Sequence, residues 1–320
     1  MSTSTDGPGR ASRGLVIAAF AAIYLIWGST YLGIRFAVET LPPFLMGGAR
    51  FLTAGLILYA WLRATGTPAP SLVNWRRAAL ASALLLGVGN GAVNWAEQKV
   101  SSGLTALIIA GTPVWFALFD WLRPGGTRPT LQTVFGIAVG FGGVLMLISS
   151  RSTLRGGSTD FIGVVLLVCA SVAWAVGSLY TKYAPKPESP MMVAAQQMIA
   201  GGIILSLSGL AMGEAATFDV ARVSARSLAA FVYLTLIGSL LGFSAYAWLL
   251  KATTPARLST YAYVNPVIAV LLGWTLGGEV LTARMLTAAA VIVSGVVVIT
   301  ARRTLPAASL GNSASVRPAS

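Results

Sequence analysis

The stretch from Trp27 to Leu58 reads WGSTYLGIRFAVETLPPFLMGGARFLTAGLIL. Two apolar segments flank a Pro-Pro pair, which predicts a helix, a tight turn and a second helix. A related stretch, WAVGSLYTKYAPKPESPMMVAAQQMIAGGIIL, runs from Trp174 to Leu205. Both copies keep the same order of aromatic, cation, proline turn, polar residue, small pair and aliphatic tail. This internal similarity predicts a protein built from one unit used twice.

The composition indicates a polytopic membrane protein. Of the 320 residues, 56% are hydrophobic and 10% are charged, whereas soluble domains carry about 25% charged residues. The net charge is +13, but the basic residues stand singly between apolar runs. They therefore favour orientation in a membrane over binding of nucleic acid.

The same composition excludes several kinds of site. The chain has no histidine and one cysteine, Cys169. Catalysis that needs Ser/His or Cys/His pairs is thereby excluded, as are His-ligated metals and a disulfide within the chain. We predict no catalytic residues, no metal site and no cofactor.

Apolar runs of about 20 residues, the length that crosses a bilayer, predict ten transmembrane helices. Short connections rich in Pro, Gly or charge separate them, and none is long enough for a soluble domain. The predicted spans are 15–38, 42–63, 77–98, 102–122, 130–149, 160–184, 190–212, 227–250, 256–276 and 282–301.

The later spans repeat as well. Trp95 aligns with Trp248, and Pro113 aligns with Pro266, at an offset of 153 residues. Each unit has an odd number of spans, so the second unit enters the membrane from the opposite side. The predicted fold is an all-α membrane protein with two inverted five-helix repeats around a central cavity, a common plan for secondary transporters.

The domain organisation follows from these spans. Residues 1–14 form a disordered cytoplasmic N-terminus, 15–149 the first repeat, 160–301 the second repeat, and 304–320 a disordered cytoplasmic tail. Most lysines and arginines fall at the ends that are cytoplasmic in this arrangement, as the positive-inside rule requires. A cleaved signal peptide is a less favoured interpretation of the N-terminus, because no small-residue cleavage site follows the first apolar run cleanly.

An ordered set of motifs gives the chain a family resemblance. The set comprises WGSTYLGIR, ARFLTAGLIL, TPVWFALF, NPVIAVLLGW and a following GGE. It resembles the ten-helix EamA branch of the drug/metabolite transporter superfamily, over about residues 14–303. The resemblance implies two inverted five-helix bundles around a central cavity, and export of amino acids or metabolites. One departure is that Gly278-Glu279 corresponds to Gly125-Gly126 in the first half.

The third predicted span carries the first candidate site residues. Asn90 and Asn94 are four residues apart and share a helical face, with Gly87 and Gly91 near that face. They either hydrogen-bond a polar substrate from a cavity wall or join neighbouring helices.

Trp27 and Trp174 occupy equivalent positions in the two repeats, and Tyr31 and Ser178 follow them by four residues. The depth of Trp27 in its span argues against a role as an interfacial anchor. Two interpretations stay open: an aromatic pair that contacts the substrate, or ordinary packing.

Further candidates lie near prolines that we expect in the middle of spans, Pro113 and Pro266. Proline frees a backbone carbonyl, and such kinks often line transporter sites. The candidates are Thr112, Asn265, Tyr246, Tyr261 and Tyr263.

Arg50 lies within the second span, where an unpaired cation is costly. It either binds a substrate carboxylate, pairs with Glu39 or Glu97, or bonds backbone carbonyls. The structural roles are favoured, because the second helix is peripheral in the fold that the resemblance implies.

The leading hypothesis is an inner-membrane exporter of amino acids or related metabolites that works by alternating access. The alternatives are a broad drug or lipophilic-cation exporter, a pore, a non-transporting scaffold and, least favoured, a membrane-embedded enzyme. The expected partners are a small-molecule substrate and the lipid bilayer, with no nucleic acid, and the protein is a monomer or a homodimer. No acidic residue is placed clearly at mid-membrane, so both proton coupling and facilitated diffusion stay open.

Overall fold

A computed structural model describes residues 13–126, 130–148, 158–184, 189–252 and 261–300. Within these ranges the regular structure is helical, and no residue is in a strand. Seven of the described helices are long and apolar enough to cross a membrane, and three shorter apolar stretches lie at 134–143, 264–275 and 283–295. The predicted disordered termini fall outside the described residues, except for Arg13 and Gly14, which begin the first helix.

The helices follow one another with short connections. Two short turns of helix, Glu214–Thr217 and Val220–Arg222, lie in the connection that follows Ala211. The main helices are α1 (Arg13–Ala37), α2 (Pro43–Ala64), α3 (Leu72–Ala96), α4 (Ser102–Leu122), α5 (Leu131–Ile148), α6 (Ser158–Tyr183), α7 (Pro190–Ala211), α8 (225–252), α9 (Tyr261–Thr275) and α10 (Ala283–Thr300).

Three helices depart from regular α geometry. α3 and α8 contain π-helical stretches, Ala83–Asn90 and Leu234–Leu241. α4 consists of two pieces, Ser102–Ile109 and Thr112–Leu122. Because π-helical turns are rare and often occur at functional sites, the matching positions of the two stretches in α3 and α8 are informative.

Two predictions from the sequence need correction. The third span begins at Leu72 rather than at 77, because Ser71 caps the helix by accepting a hydrogen bond from the Asn74 backbone. Pro113 does not lie in the middle of a helix: α4 breaks before Thr112, and Pro113 lies in the first turn of the second piece. A proline has no N–H to leave unpaired there. Pro266, by contrast, lies inside α9, as predicted.

α2 and α7 pack closely and run antiparallel. Leu45 lies against Gly209, Gly48 against Ser206, and Leu52 against Gly202. A Cβ atom on Gly202 would lie 2.6 Å from the Leu52 backbone nitrogen. Small residues therefore let the two backbones approach, as in other tightly packed helix pairs of membranes.

α5 and α10 form a second antiparallel pair. Gly143 lies against Ile292, and Gly295 lies against the Gly140 backbone. Gln132 also donates a hydrogen bond to the Val298 carbonyl, across the pair.

The remaining helices surround the centre of the molecule. α1 packs against α8 and α9, while α6 packs against α3 and α4. The largest apolar core joins Ile34 of α1, Val93 of α3, Leu107 of α4 and Leu167 of α6. This arrangement brings side chains from both halves of the sequence together.

Candidate functional site

The aromatic cluster of the protein is centred on the half-buried Trp27 of α1. Ring centroids lie 5.1 Å from Trp27 for Tyr246, 5.2 Å for Tyr261 and 5.8 Å for Phe243. These are the distances at which aromatic rings attract one another. We call Trp27, Phe243, Tyr246 and Tyr261 the aromatic cluster; it joins α1, α8 and α9.

Trp174 of α6 reaches the same cluster from the other side. Its side chain lies close to that of Tyr261, and its ring lies close to Gly89 of α3. The two tryptophans singled out by the repeat therefore converge on one tyrosine. On the Trp27 side, a Cβ atom at Gly242 would lie 2.6 Å from the indole nitrogen, so this glycine leaves room for the ring.

The other aromatic and hydroxyl candidates are placed less centrally. Tyr31 lies near both Tyr261 and Glu97, between the aromatic cluster and the end of α3. Ser178 is half-buried on α6. Tyr263 belongs to α9, but its side chain lies outside the described residues.

The two asparagines of α3 differ in their surroundings. Asn94 is fully buried and its Nδ2 donates to the Pro43 carbonyl at 3.2 Å, while its Oδ1 has no partner. Asn90 is half-buried, and its Nδ2 donates only a long bond of 3.5 Å to the Leu85 carbonyl of its own helix. The contacts of Asn94 favour a role in joining α3 to α2, whereas Asn90 keeps hydrogen-bonding capacity for a solute.

The two candidates that precede prolines are buried. The Thr112 hydroxyl donates to the Ile109 carbonyl at 2.5 Å and lies 3.2 Å from the Ser171 hydroxyl of α6. Asn265 is 5% exposed, and its Oδ1 has no hydrogen-bond partner. Thr112 therefore joins α4 to α6, and Asn265 is a buried amide with a free acceptor.

Arg50 and Glu97 are two buried ionisable residues, and their pairing is one of the alternatives that the sequence left open for Arg50. Arg50 is 3% exposed and Glu97 is 1% exposed. Arg50 donates from Nε to the Ser239 hydroxyl at 2.8 Å, and one of its terminal nitrogens is buried without a partner. Glu97 interacts electrostatically with Arg50 without a direct contact. The other acid considered for Arg50, Glu39, instead pairs with Arg226.

Glu279 ties the turn after α9 to the start of α4. Its carboxylate accepts hydrogen bonds from the Ser102 backbone and hydroxyl, each at 2.7 Å, and from the Gly103 backbone at 3.0 Å. The preceding residue, Gly278, has a positive φ of 63°, which glycine adopts readily. A negative charge at this position also suits the positive end of the helix dipole.

Glu214 makes a second contact of the same kind. It follows Gly213, which has φ 78°, and it accepts from the backbone nitrogens of Phe44 at 3.1 Å and Leu45 at 2.8 Å, at the start of α2. The sequence signal for both contacts is a Gly-Glu pair directly after a helix.

A cavity of about 600 Å³ lies at the opposite end of the bundle. It opens between α3, α4 and α6, and its walls include Arg77, Phe119, Arg123, Tyr180 and Tyr183. The described lining residues include none of the candidate site residues named from the sequence.

Among the residues that the structure describes, no three His, Cys, Asp or Glu side chains lie close enough together to bind a metal ion. The expectation of no metal and no cofactor stays a prediction.

Comparison with known proteins decides the family. The model of the EamA-like transporter family matches residues 13–149 and again 161–301. The chain belongs to the EamA-like transporter family. Together with its apolar helices, this makes it a multi-pass membrane protein of the drug/metabolite transporter type.

Similar proteins agree with this assignment. The chain is 42% identical over 286 residues to YedA of Escherichia coli K12, described as an uncharacterized inner membrane transporter, with 89% of this chain and 90% of that protein covered. It is 23% identical over 280 residues to a protein of Salmonella typhimurium LT2 named a probable amino-acid metabolite efflux pump, with 85% and 90% covered. A solved crystal structure that is 21% identical matches with a TM-score of 0.63, over 91% of this chain and 98% of that one. The similarity to this structure concerns the fold alone.

Proposed function

We propose that the protein is an inner-membrane exporter of amino acids or related small metabolites that works by alternating access. Membership of the EamA-like family and the names of the two relatives support transport, the inner membrane and this solute class. The observation that carries the proposal is the convergence of Trp27 and Trp174 on Tyr261. It brings the two halves of the chain to one neutral, aromatic site.

The proposed architecture is ten spans in two inverted five-helix repeats, with both termini in the cytoplasm. α2 and α7 are equivalent by the sequence repeat, and their antiparallel packing supports an inverted second copy. The antiparallel pair α5 and α10 supports it in the same way. The double match of the family model also agrees with two copies.

Four glycines with positive φ add a further observation. Gly66 aligns with Gly213, and Gly125 aligns with Gly278, when the two sequence alignments of the repeat are extended. In each aligned pair, the two glycines follow equivalent helices and adopt the same left-handed conformation. The correspondence therefore supports a repeat at the level of the backbone.

The proposed solute site is the space beside the aromatic cluster, with Tyr31, Asn90 and Trp174 as neighbours. Aromatic rings contribute to binding by burial of apolar area, with about 0.5–1.5 kcal/mol more when they stack on another ring. Uncharged hydroxyl and amide groups suit a zwitterion better than a phosphorylated sugar, which needs several cations. We therefore propose an amino acid with a large apolar or aromatic side chain as the preferred solute.

The test is exchange in proteoliposomes that contain the purified protein and unlabelled phenylalanine. Labelled phenylalanine is expected to enter by exchange, and bulky amino acids are expected to compete better than alanine. Trp174→Ala is expected to weaken competition by bulky solutes about tenfold while small solutes still exchange, since about 1.4 kcal/mol corresponds to a factor of ten. Trp61→Ala is the matched control, because Trp61 is 54% exposed on the outer face of α2.

Other results would contradict the proposal. An unchanged competition profile in Trp174→Ala removes the aromatic pair from the solute site. Transport of tetraphenylphosphonium without exchange of any amino acid favours a lipophilic-cation exporter instead.

A further inference from the structure

Glu97 occupies an unusual position directly after the last residue of α3. It is 1% exposed, and neither carboxylate oxygen has a hydrogen-bond partner. A buried ionised carboxylate normally accepts several hydrogen bonds or pairs with a cation, because burial strongly disfavours the charged form. The surroundings of Glu97 therefore favour the protonated, neutral carboxyl in this conformation.

Basic residues lie close to Glu97 on two helices. Arg35 of α1 interacts with it electrostatically, but its side chain is engaged by the Val100 carbonyl at 3.4 Å and by Glu279 at 3.6 Å. Arg50 of α2 also interacts with Glu97, and its unpartnered terminal nitrogen is a donor for which the described residues supply no acceptor.

The remaining neighbours complete the environment of the carboxyl. Tyr31 of α1 and Glu279 of the turn after α9 interact with Glu97, and Tyr233 of α8 interacts with Arg50. From α6, the side that faces the end of α3 is apolar, with Gly163 close to Ala96. A negative charge on Glu97 would thus meet one further acid, two arginines and one phenol, Tyr31.

We propose that Glu97 carries the proton that couples solute export to the proton gradient, and that Arg50 is its partner when the proton has left. This inference rests on the proposed transport function and names its energy source. One proton binds a Glu97 oxygen from the outer side when that side is open, is held there in the conformation seen here, and leaves to the cytoplasm as the solute binds from inside. The proton and the solute therefore cross in opposite directions. The carboxylate then accepts a hydrogen bond from the free nitrogen of Arg50, which draws the end of α3 toward α2.

The geometry gives this exchange a direct link to conformation. Arg50 is held by Ser239, which lies in the π-helical stretch of α8. A contact between Glu97 and Arg50 would therefore join α3, α2 and α8, three helices that carry or adjoin the solute site. Protonation of Glu97 releases that contact, so the charge state of one side chain biases two arrangements of the helices.

The experiment compares two modes of transport in the same proteoliposomes. Exchange of labelled phenylalanine at equal pH needs no net proton movement. An acid-inside pH gradient is expected to raise phenylalanine accumulation several-fold for the unaltered protein. Glu97→Gln is expected to keep exchange and to lose the whole effect of the gradient. Glu39→Gln, which removes an acid paired with Arg226 at the same end of the bundle, is expected to keep both.

The outcomes separate the two proposals. If no amino acid of a panel exchanges in the unaltered protein, the proposed function fails and the inference falls with it. If exchange occurs but the gradient has no effect, transport stands and proton coupling is refuted. If Glu97→Gln still responds to the gradient, Glu97 is not the coupling site.

A second measurement covers the case in which Glu97→Gln does not fold. Dicyclohexylcarbodiimide modifies protonated carboxyls in apolar surroundings, and mass spectrometry of the unaltered protein locates the label. We expect the label on Glu97 at neutral pH and its loss as the pH is raised. An unlabelled Glu97 in a folded protein overturns the proposal.

Discussion

Glu279→Ala tests whether the turn after α9 holds the start of α4 in place. The Glu279 side chain is 6% exposed and accepts three hydrogen bonds from Ser102 and Gly103. Gly273 leaves room for the carboxylate, since a Cβ atom there would lie 2.5 Å from its Oε2. The contact therefore depends on the reach and charge of this one side chain.

The magnitude follows from the groups that lose a partner. Alanine leaves the backbone N–H groups of Ser102 and Gly103 without an acceptor, at about 1–3 kcal/mol for each buried donor. The total is about 2–6 kcal/mol of unfolding free energy. Glu279→Gln keeps an acceptor but removes the charge at the helix N-terminus, which contributes about 0.3–1 kcal/mol near a surface and up to ~2 kcal/mol when partly buried. The expected order of stability is therefore glutamate, then glutamine, then alanine.

The assay is unfolding in mixed micelles, followed by tryptophan fluorescence. Glu39→Ala is the control, because it removes the partner of Arg226 from a pair that is exposed on both sides. Such pairs contribute about 0–1 kcal/mol. If Glu279→Ala and Glu39→Ala lose the same stability, or if glutamine is no better than alanine, the assigned hydrogen bonds do not stabilise α4.

Two further predictions concern helix packing. Gly202→Ala should be about 1–3 kcal/mol less stable than Gly142→Ala, which is the range for overpacking a close contact. The reason is that Gly202 faces another backbone, whereas Gly142 has open space within 4 Å. Equal stability of the two variants in the same unfolding assay would contradict the close approach of α2 and α7. Asn94→Leu loses the hydrogen bond to Pro43, so it should lower the free energy of unfolding by about 1 kcal/mol and leave the competition profile of solutes unchanged. Asn90→Leu should change the competition profile with little loss of stability. The reverse pattern would show that Asn94 contacts the solute and that Asn90 joins helices.

The sequence predicted the helical, apolar character of the chain. Hydropathy reports how long a segment stays apolar, so most described helices begin and end near a predicted span, although α3 begins earlier than predicted. The sequence repeat singles out Trp27 and Trp174, and both side chains lie close to Tyr261. Their role at a solute site stays a prediction.

The buried charges could not be predicted in the same way. Glu97 stands at the end of an apolar run, and such a position normally places a carboxylate in water. Its burial depends on how α1, α2 and the turn after α9 cover the end of α3, which is a property of tertiary packing. Pro113 was misplaced for a related reason, because hydropathy continues across the break before Thr112 and gives no sign of it.

The two ends of the bundle differ in a way that bears on the transport cycle. At the end that carries Glu97, carboxylates join separate helices: Glu279 binds the start of α4, and Glu214 binds the start of α2. The opposite end holds a cavity of about 600 Å³ between α3, α4 and α6. With the proposed orientation, these features correspond to a conformation that is closed outside and open toward the cytoplasm. In the proposed export cycle this state takes up the solute from inside, and opening of the outer end has to release the carboxylate contacts. Solvent that reaches Glu279 and Glu214 can replace their hydrogen bonds at that step. In the proposed coupling Glu97 has by then lost its proton to the cytoplasm, and Arg50 is the nearby residue, among those described, with a nitrogen free to meet the carboxylate.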